Sequence, residues 1–487
     1  MQSTIKNSKY KLGLITGVFI AGTILAGCST TAVQYSSDNI GDLTDSKLRP
    51  AAIALKASGP LSIDQVRTRT LAHNSEYQRA QTQLLETVRK AGQRGKDFLP
   101  QAYTNTYGQW RNNTSASIGV KVDDDSGTMP KDFYTGQDQA IATSNFTTSW
   151  DLLEIGLSSF KANRRAINAY SKGEQNQYLC NKLVVDVENA YWRAVAFEQA
   201  EAKSDWLKGR VQYALNLSVQ RADENPETEL NELMFQRELI DINRWYESLY
   251  RSLISAKPDL ARLMNLPAGT EFTLQSQRLP AELGAFAQQD ITTLVAAAYK
   301  HRPEIRRSLY QADLTKLKNK EDLWRHLPGL KVFLGGNYNS NSFVLNSNFA
   351  SAGVSLSWDL LRLGQIGETK RNGKIVLAEN QREMEILASA IMAQVMIARE
   401  QILKLDYDLT LAWKALDVQS NITNSLNADV ASGEKPETYL VKEELMKELS
   451  FIREQMARAE LHTAKARLQQ SVGLVPTCQK PTRTDQN

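Results

Sequence analysis

Residues 150–156 read WDLLEIG, and residues 358–364 read WDLLRLG. Trp150 and Trp358 stand 208 positions apart, and Gly156 and Gly364 keep that spacing. The echo extends both ways. Residues 63–100 match 291–328 at an offset of 228, with His73 on His301, Glu76 on Glu304, and Leu99-Pro100 on Leu327-Pro328. NPETEL (225–230) returns as KPETYL (435–440), and Asn265-Leu266 returns as Gly473-Leu474, again 208 positions later. Anchors in one order mark a duplication. The change of offset places twenty extra residues between Pro100 and Trp150, where an insertion belongs in an exposed loop.

Each copy has one order: helix, strand, loop, strand, very long helix, tip, shorter helix. Strands are expected at about 102–110 and 141–150, and at about 331–338 and 349–358. Ala350, Ala352, Val354, Leu356 and Trp358 alternate with Ser351, Gly353, Ser355 and Ser357, which gives one apolar face and one small polar face. The first copy's strands flank a polar stretch, NNTSASIGVKVDDDSGTMPKDFYTGQDQ, read as a loop. Residues 388–430 then carry apolar side chains at heptad spacing, from Ala388 and Ile391 to Leu426 and Val430, interrupted only by Gln419 and Thr423. That period specifies coiled-coil packing. Between Gly373 and Gly433 there is no Pro or Gly, so a single rod of roughly 90 Å is expected. The first copy runs similarly from Gly173 to Pro226, broken by Gly209.

The chain opens with Lys6, Lys9 and Lys11, then LGLITGVFIAGTILA, then Leu25-Ala26-Gly27-Cys28. This is the pattern of an export signal ending in a lipobox, with Cys28 as the lipidated residue, palmitate included. Ser29 in place of Asp fits an outer-membrane address. Removal of residues 1–27 leaves a net charge of +1, without the basic footprint of a nucleic-acid binder. After the signal no run of eighteen apolar residues remains, so a bilayer would be crossed by a closed β-barrel. Four strands cannot close one; two chains would supply eight strands and three would supply twelve, and only the larger barrel leaves a lumen. His73, His301, His326 and His462 form no metal-ligand spacing, and no catalytic residue or cofactor is read apart from the lipid on Cys28.

HRPEIRRSLYQADLTKLKNK…HLPGLKV, VSLSWDLLRLGQI and ASGEKPETYLVKEEL followed by ARLQQSVGL together resemble the TolC family of outer-membrane factors. The resemblance implies a mainly α chain with a β-barrel part, built from two tandem repeats. It further implies a homotrimer with a twelve-stranded outer-membrane barrel and a periplasmic α-helical tunnel in a Gram-negative bacterium. The tunnel would dock on a periplasmic membrane-fusion adaptor and an inner-membrane pump of RND or ABC type. The function would be a passive conduit for efflux or type I secretion; the competing readings are a periplasmic coiled-coil adaptor and a structural lipoprotein without a pore. Domain boundaries follow: signal 1–27, lipidated segment 28–60, repeat 1 at 61–266 with a helical hairpin from about 157, linker 267–289, repeat 2 at 290–474 with a hairpin from about 365, and tail 475–487.

On this map Trp150 and Trp358 mark the barrel–helix junction at the membrane rim, with Leu-Leu turning inward and Gly156 and Gly364 letting the chain bend. The adaptor-contact tips hold Pro226, Thr228, Gly433, Pro436 and Thr438. The aspartates that family members carry just after the turn fall on Tyr439 and Lys442 here. An alternative acidic entrance ring is offered by Asp223, Glu224, Glu227, Glu229 and Glu232. Counted in helical rise from the tips, Cys180 and Cys478 lie at similar heights, so they can pair; Cys180 also aligns with Ala388 on the heptad seam, as a buried free thiol would.

Overall fold

The computed structural model describes residues 59–92, 99–120, 131–224, 227, 229–267, 269–276, 288–475 and 478. The signal, Cys28, Pro226 and Thr228, and much of the linker and tail lie outside the described residues. Leu266, Pro267 and Gly269 fall in a separate unit from the rest of the described chain. The other unit, residues 56–265 and 270–487, carries every element below.

Repeat 1 begins with α1 (Ile63–His73), α2 (Ser75–Gly92) and β1 (Gln101–Trp110). A small hairpin follows, β2 (Ser117–Val120) and β3 (Lys131–Tyr134), then β4 (Ala140–Asp151). The 73-residue α3 (Leu152–Glu224) reaches the first tip, and α4 (Glu229–Leu253) and α5 (Ala256–Leu263) return. Repeat 2 comprises α6 (Ile291–His301), α7 (Pro303–Trp324), β5 (Gly329–Asn339), β6 (Asn348–Ser357), a 3-10 helix (Leu360–Gln365), the 66-residue α8 (Ile366–Ala431) and α9 (Glu437–Val472). At 1.5 Å per residue α3 and α8 are each roughly 100 Å long.

Two expectations are corrected here. The polar insertion is not all loop: Ile118 faces Phe133 across the β2–β3 ladder. Short alternation at Ser117–Val120 and Lys131–Tyr134 was the available signal, hidden in a Ser/Asp/Gly-rich context. The returning helix of repeat 1 is also broken, between Leu253 and Ala256, where repeat 2 continues without a break. Pro258 explains it, since its ring excludes the carbonyl four residues back; the equivalent residue in repeat 2 is Ala466.

The heptad seam survives in three dimensions. Ile391, Val395, Ala398 and Ile402 are buried against Leu461, Ala464, Leu468 and Val472 of α9 and against Leu294 and Ala298 of α6. The two polar interruptions share a partner on α9: Gln419 Nε2 donates to Glu443 Oε2 at 2.6 Å, and Thr423 Oγ1 lies 3.3 Å from the Glu443 carbonyl as well as 2.8 Å from the Gln419 carbonyl of its own helix. On its other side α9 meets repeat 1. Val441, Leu445, Leu449 and Ile452 share one core with Leu207, Val211 and Ala214 of α3 and with Phe235, Leu239, Ile242 and Tyr246 of α4. Helix α9 is therefore the wedge between the long helices α3 and α8. Higher up, Trp192 stacks on the buried His462 at 3.6 Å and donates to Glu188 at 2.8 Å, and Arg67 of α1 pairs with that carboxylate.

Candidate functional site

The sheet positions the first candidate region. Its strand order is β1-β4-β5-β6, every neighbour antiparallel. Register puts Trp150 opposite Val332, and Val332 opposite Val354. One face thus collects Phe146, Trp150, Val332, Leu334, Tyr338, Val354 and Leu356, all of them exposed in this chain. The opposite face carries Asn105, Tyr107, Thr143, Asn145, Asn337, Ser351 and Ser355. An exposed apolar face backed by a mostly polar one, which also holds Tyr103, Phe333 and Phe349, suits lipid outside and water inside. The outer strands β1 and β6 each leave one edge without a strand partner among the described residues. At the far end of the sheet the loops clasp each other: Asp138 accepts from the Ser342 hydroxyl at 2.8 Å, and Asn341 Nδ2 donates to the Gly136 carbonyl at 2.8 Å. The Ser342 backbone N–H also donates to Asp138, and both bonds hold its carboxyl below the usual range.

The two WDLL motifs end the sheet in different ways. Asp151 Oδ1 accepts from the Glu154 N–H at 3.0 Å, so the first copy passes from strand into α3 through a side-chain cap. Asp359 instead pairs with Arg362 at 2.9 Å, and a 3-10 turn intervenes before α8. Trp358 Nε1 donates to the His326 carbonyl at 3.1 Å, fixing the indole at the junction. Three of the four leucines do not turn inward: Leu152 is 48% exposed, Leu360 64% and Leu361 88%, and only Leu153 is half-buried. Nor does Gly156 bend the chain. It lies inside α3, and a Cβ there would stand 2.7 Å from the Trp324 ring, so the missing side chain admits Trp324. Gly364 lies in the 3-10 helix, with open space where a Cβ would point.

The tips are the second region. At the second tip Gly433 has φ +80°, and the Glu434 N–H donates to the Asp429 carbonyl at 2.9 Å. The left-handed conformation needed to reverse the chain is one glycine adopts freely. Pro436 precedes α9 as its N-cap, and Lys435 pairs with Asp429 at 2.8 Å. Thr438 departs from expectation: it is only 2% exposed and accepts from Arg221 of α3 at 3.1 Å, so it joins the two tips and is removed from the adaptor-contact set. Of the acidic set, Asp223, Glu224, Glu227 and Glu229 are exposed, whereas Glu232 is half-buried and accepts from Ser218 at 2.6 Å. That bond takes Glu232 out of an exposed ring. Tyr439 lies beside Phe235, with centroids 6.0 Å apart, and Lys442 reaches Glu238 of α4 at 3.2 Å.

Sequence reasoning missed the link between hairpins just above the tips. Arg210 of α3 pairs with Glu437 at 2.6 Å and with Glu444 at 3.0 Å, both on α9, and the Tyr213 hydroxyl donates to Glu437 at 3.2 Å. The Arg210 hydrogen bond holds the Glu437 carboxyl below its ordinary pKa. These partners lie more than two hundred residues apart, so only the folded hairpins bring them together. Cys180 and Cys478 form a disulfide, with Cα atoms 5.8 Å apart, packed with Val184 and Val475. No group of three or more metal-ligating side chains occurs among the described residues.

One stretch of α8 qualifies the expectation about membrane helices. An eighteen-residue window within 360–431 reaches a mean hydropathy of 1.4, and only 22% of it is buried. Its seam already packs on α9; Met392, Met396, Ile397 and Leu403 remain exposed on the flanks.

No protein-family profile matches the chain, and no curated protein sequence does. Solved structures do match. The open state of the Neisseria gonorrhoeae MtrE outer membrane channel aligns with a TM-score of 0.62 at 13% identity, over 86% of this chain and 91% of that one. The Campylobacter jejuni CmeC outer membrane channel gives 0.60 at 11% identity, over 91% and 93%. The outer membrane protein VceC from Vibrio cholerae gives 0.55 at 12%, over 84% and 96%. At such identities the likeness concerns the fold, and the fold of this chain is that of outer-membrane channels.

Proposed function

We propose that the chain is a TolC-family outer-membrane factor, the channel component of a tripartite efflux or type I secretion system, and not an enzyme. The observation that carries this reading is the four-stranded sheet with two open edges and an exposed apolar face, continuous with helices roughly 100 Å long. Open edges are not tolerated in lipid. Pairing β6 of one copy with β1 of the next closes twelve strands after three copies. The repeats supply the matching helical contact: within the chain α9 lies on α3 and α8, and α4 of a neighbouring copy takes the same place on the bare flank of α8. Such head-to-tail contacts form a ring when the rotation closes.

In this assembly the polar sheet face lines a passive water-filled pore. Acyl chains on Cys28 hold the N-terminal segment in the outer membrane. The second tip at Gly433 and Pro436, and the first tip, to whose sequence Pro226 and Thr228 belong, meet the periplasmic adaptor, and an inner-membrane pump supplies the energy. Asp223, Glu224, Glu227 and Glu229, repeated around the axis, favour cations at the entrance. Reconstitution of the purified trimer in planar bilayers tests the reading: discrete conductance is expected, and a silent bilayer containing folded trimer would overturn it. Cation selectivity unchanged after neutralising Asp223, Glu224 and Glu227 would remove the acidic ring alone.

A further inference from the structure

The helices just below the sheet are basic, unlike the tips. Residues 152–172, 311–326 and 359–376 together hold twelve Lys and Arg against six Asp and Glu, whereas residues 221–244 hold three against seven. Between the end of α7 and the start of α8 lies a groove of about 700 Å³, lined by Lys318, Asn319, Arg325, Arg362, Thr369 and Asn372, with Asp322 its one carboxylate. Two of the cations are held in place by acids. Arg325 bonds Glu321 at 2.6 Å, and that same carboxylate also serves Arg164 at 2.9 Å; Arg362 bonds Asp359 at 2.9 Å. A guanidinium has five N–H donors, so each keeps several for a ligand. Lys318 is exposed and has no ion pair among the described residues. Beside the groove the surface turns apolar: Leu356 is 67% exposed, Trp358 47%, Leu360 64% and Leu361 88%.

We propose that this groove binds the phosphate headgroup of an anionic phospholipid, in the leaflet that faces the helices, with Leu360 and Leu361 against its acyl chains. The inference rests on the channel reading, which puts Trp358 at the membrane rim. A cationic, amide-lined groove would suit any phosphate. The adjoining leucines select a lipid over a soluble anion, because only a lipid brings a hydrocarbon to cover them.

Tryptophan quenching in bilayers tests it, since Trp150 and Trp358 border the region. Full-length protein is placed in phosphatidylcholine bilayers containing brominated phosphatidylglycerol or, separately, brominated phosphatidylcholine. Wild type should bind phosphatidylglycerol more tightly, by roughly fivefold for each cation engaged. The exposed-site variant Lys318→Gln should lose about one such factor, and Lys318→Gln with Arg362→Gln most of the preference, both keeping wild-type size on gel filtration. Lys435→Gln at the tip should change nothing. Equal binding of the two lipids by wild type, or a preference that survives the double variant, overturns the proposal. So does abolition of the preference by excess inorganic phosphate, which would make the groove a soluble-anion site. Absence of quenching by either lipid would instead overturn the membrane placement, and the channel reading with it.

Discussion

Helices α4 and α9 occupy the same place in the two repeats, yet they live in different surroundings. Seventeen of the 36 residues of α9 are buried, against eight of the 33 in α4 and α5 together, five of them in α4. The difference is one of position in the chain. Helix α9 has α8 on one side and α3 on the other, whereas among the described residues α4 packs on α3 and the edge of α9. Its outer flank leaves Leu230 69% exposed, Met234 50% and Trp245 56%. The duplication teaches what is missing: a second long helix on that flank, which the head-to-tail assembly would supply from a neighbour.

The largest effect should come from the bond that fixes the chain just beyond α9. Cys180–Cys478 closes 298 residues, and replacing both cysteines by Ser should cost roughly 5 kcal/mol by loop-closure entropy, read as a lower midpoint in denaturant unfolding of the protein. Next is the wedge itself. Leu449 is 1% exposed in the shared core, so Leu449→Ala should cost about 3 kcal/mol in the same measurement.

A pH series sharpens the comparison further, because α9 buries a histidine and α4 carries none. Burial lowers the His462 pKa to about 3, helped by the positive charges of Lys465, Arg458 and Arg67. The folded chain keeps the ring neutral, while the unfolded chain protonates it near the ordinary value of 6.5. Its contribution is therefore complete above about 6.5 and is lost as pH falls toward 3. His462→Phe, which keeps the stack on Trp192, should flatten the acid side of the stability profile across that window; an unchanged profile would show that His462 is accessible in the folded chain. The smallest effect on the single chain belongs to Trp245→Ser on α4, within about 0.5 kcal/mol by unfolding. The same change should shift the oligomer toward monomer on sedimentation, and an unchanged oligomer would show that α4 is not the lateral contact.

Much of this was legible in the residues. Strand alternation before Trp358 and the a/d series from Ala388 to Val430 located the sheet and the seam, because both are local periodicities set by burial. The details of WDLL were not legible. A glycine after Leu-Leu reads equally as a hinge or as room for a neighbour, and Trp324, which needs the room at Gly156, is distant in sequence. Thr438 was misplaced for the same reason. Its spacing from the turn marks it as a tip residue, while its burial depends on Arg221 of the other hairpin. Arg210 carried no signal at all until α3 and α9 were packed together.

The disulfide also has a consequence in time. Cys180 leaves the ribosome 298 residues ahead of its partner. Throughout that interval its thiol lacks its native partner, and only a chain that has delivered both repeats can form the Cys180–Cys478 bond. The oxidised pair is then a chemical mark of a finished protomer, distinguishable from a stalled one by a single thiol-reactive label.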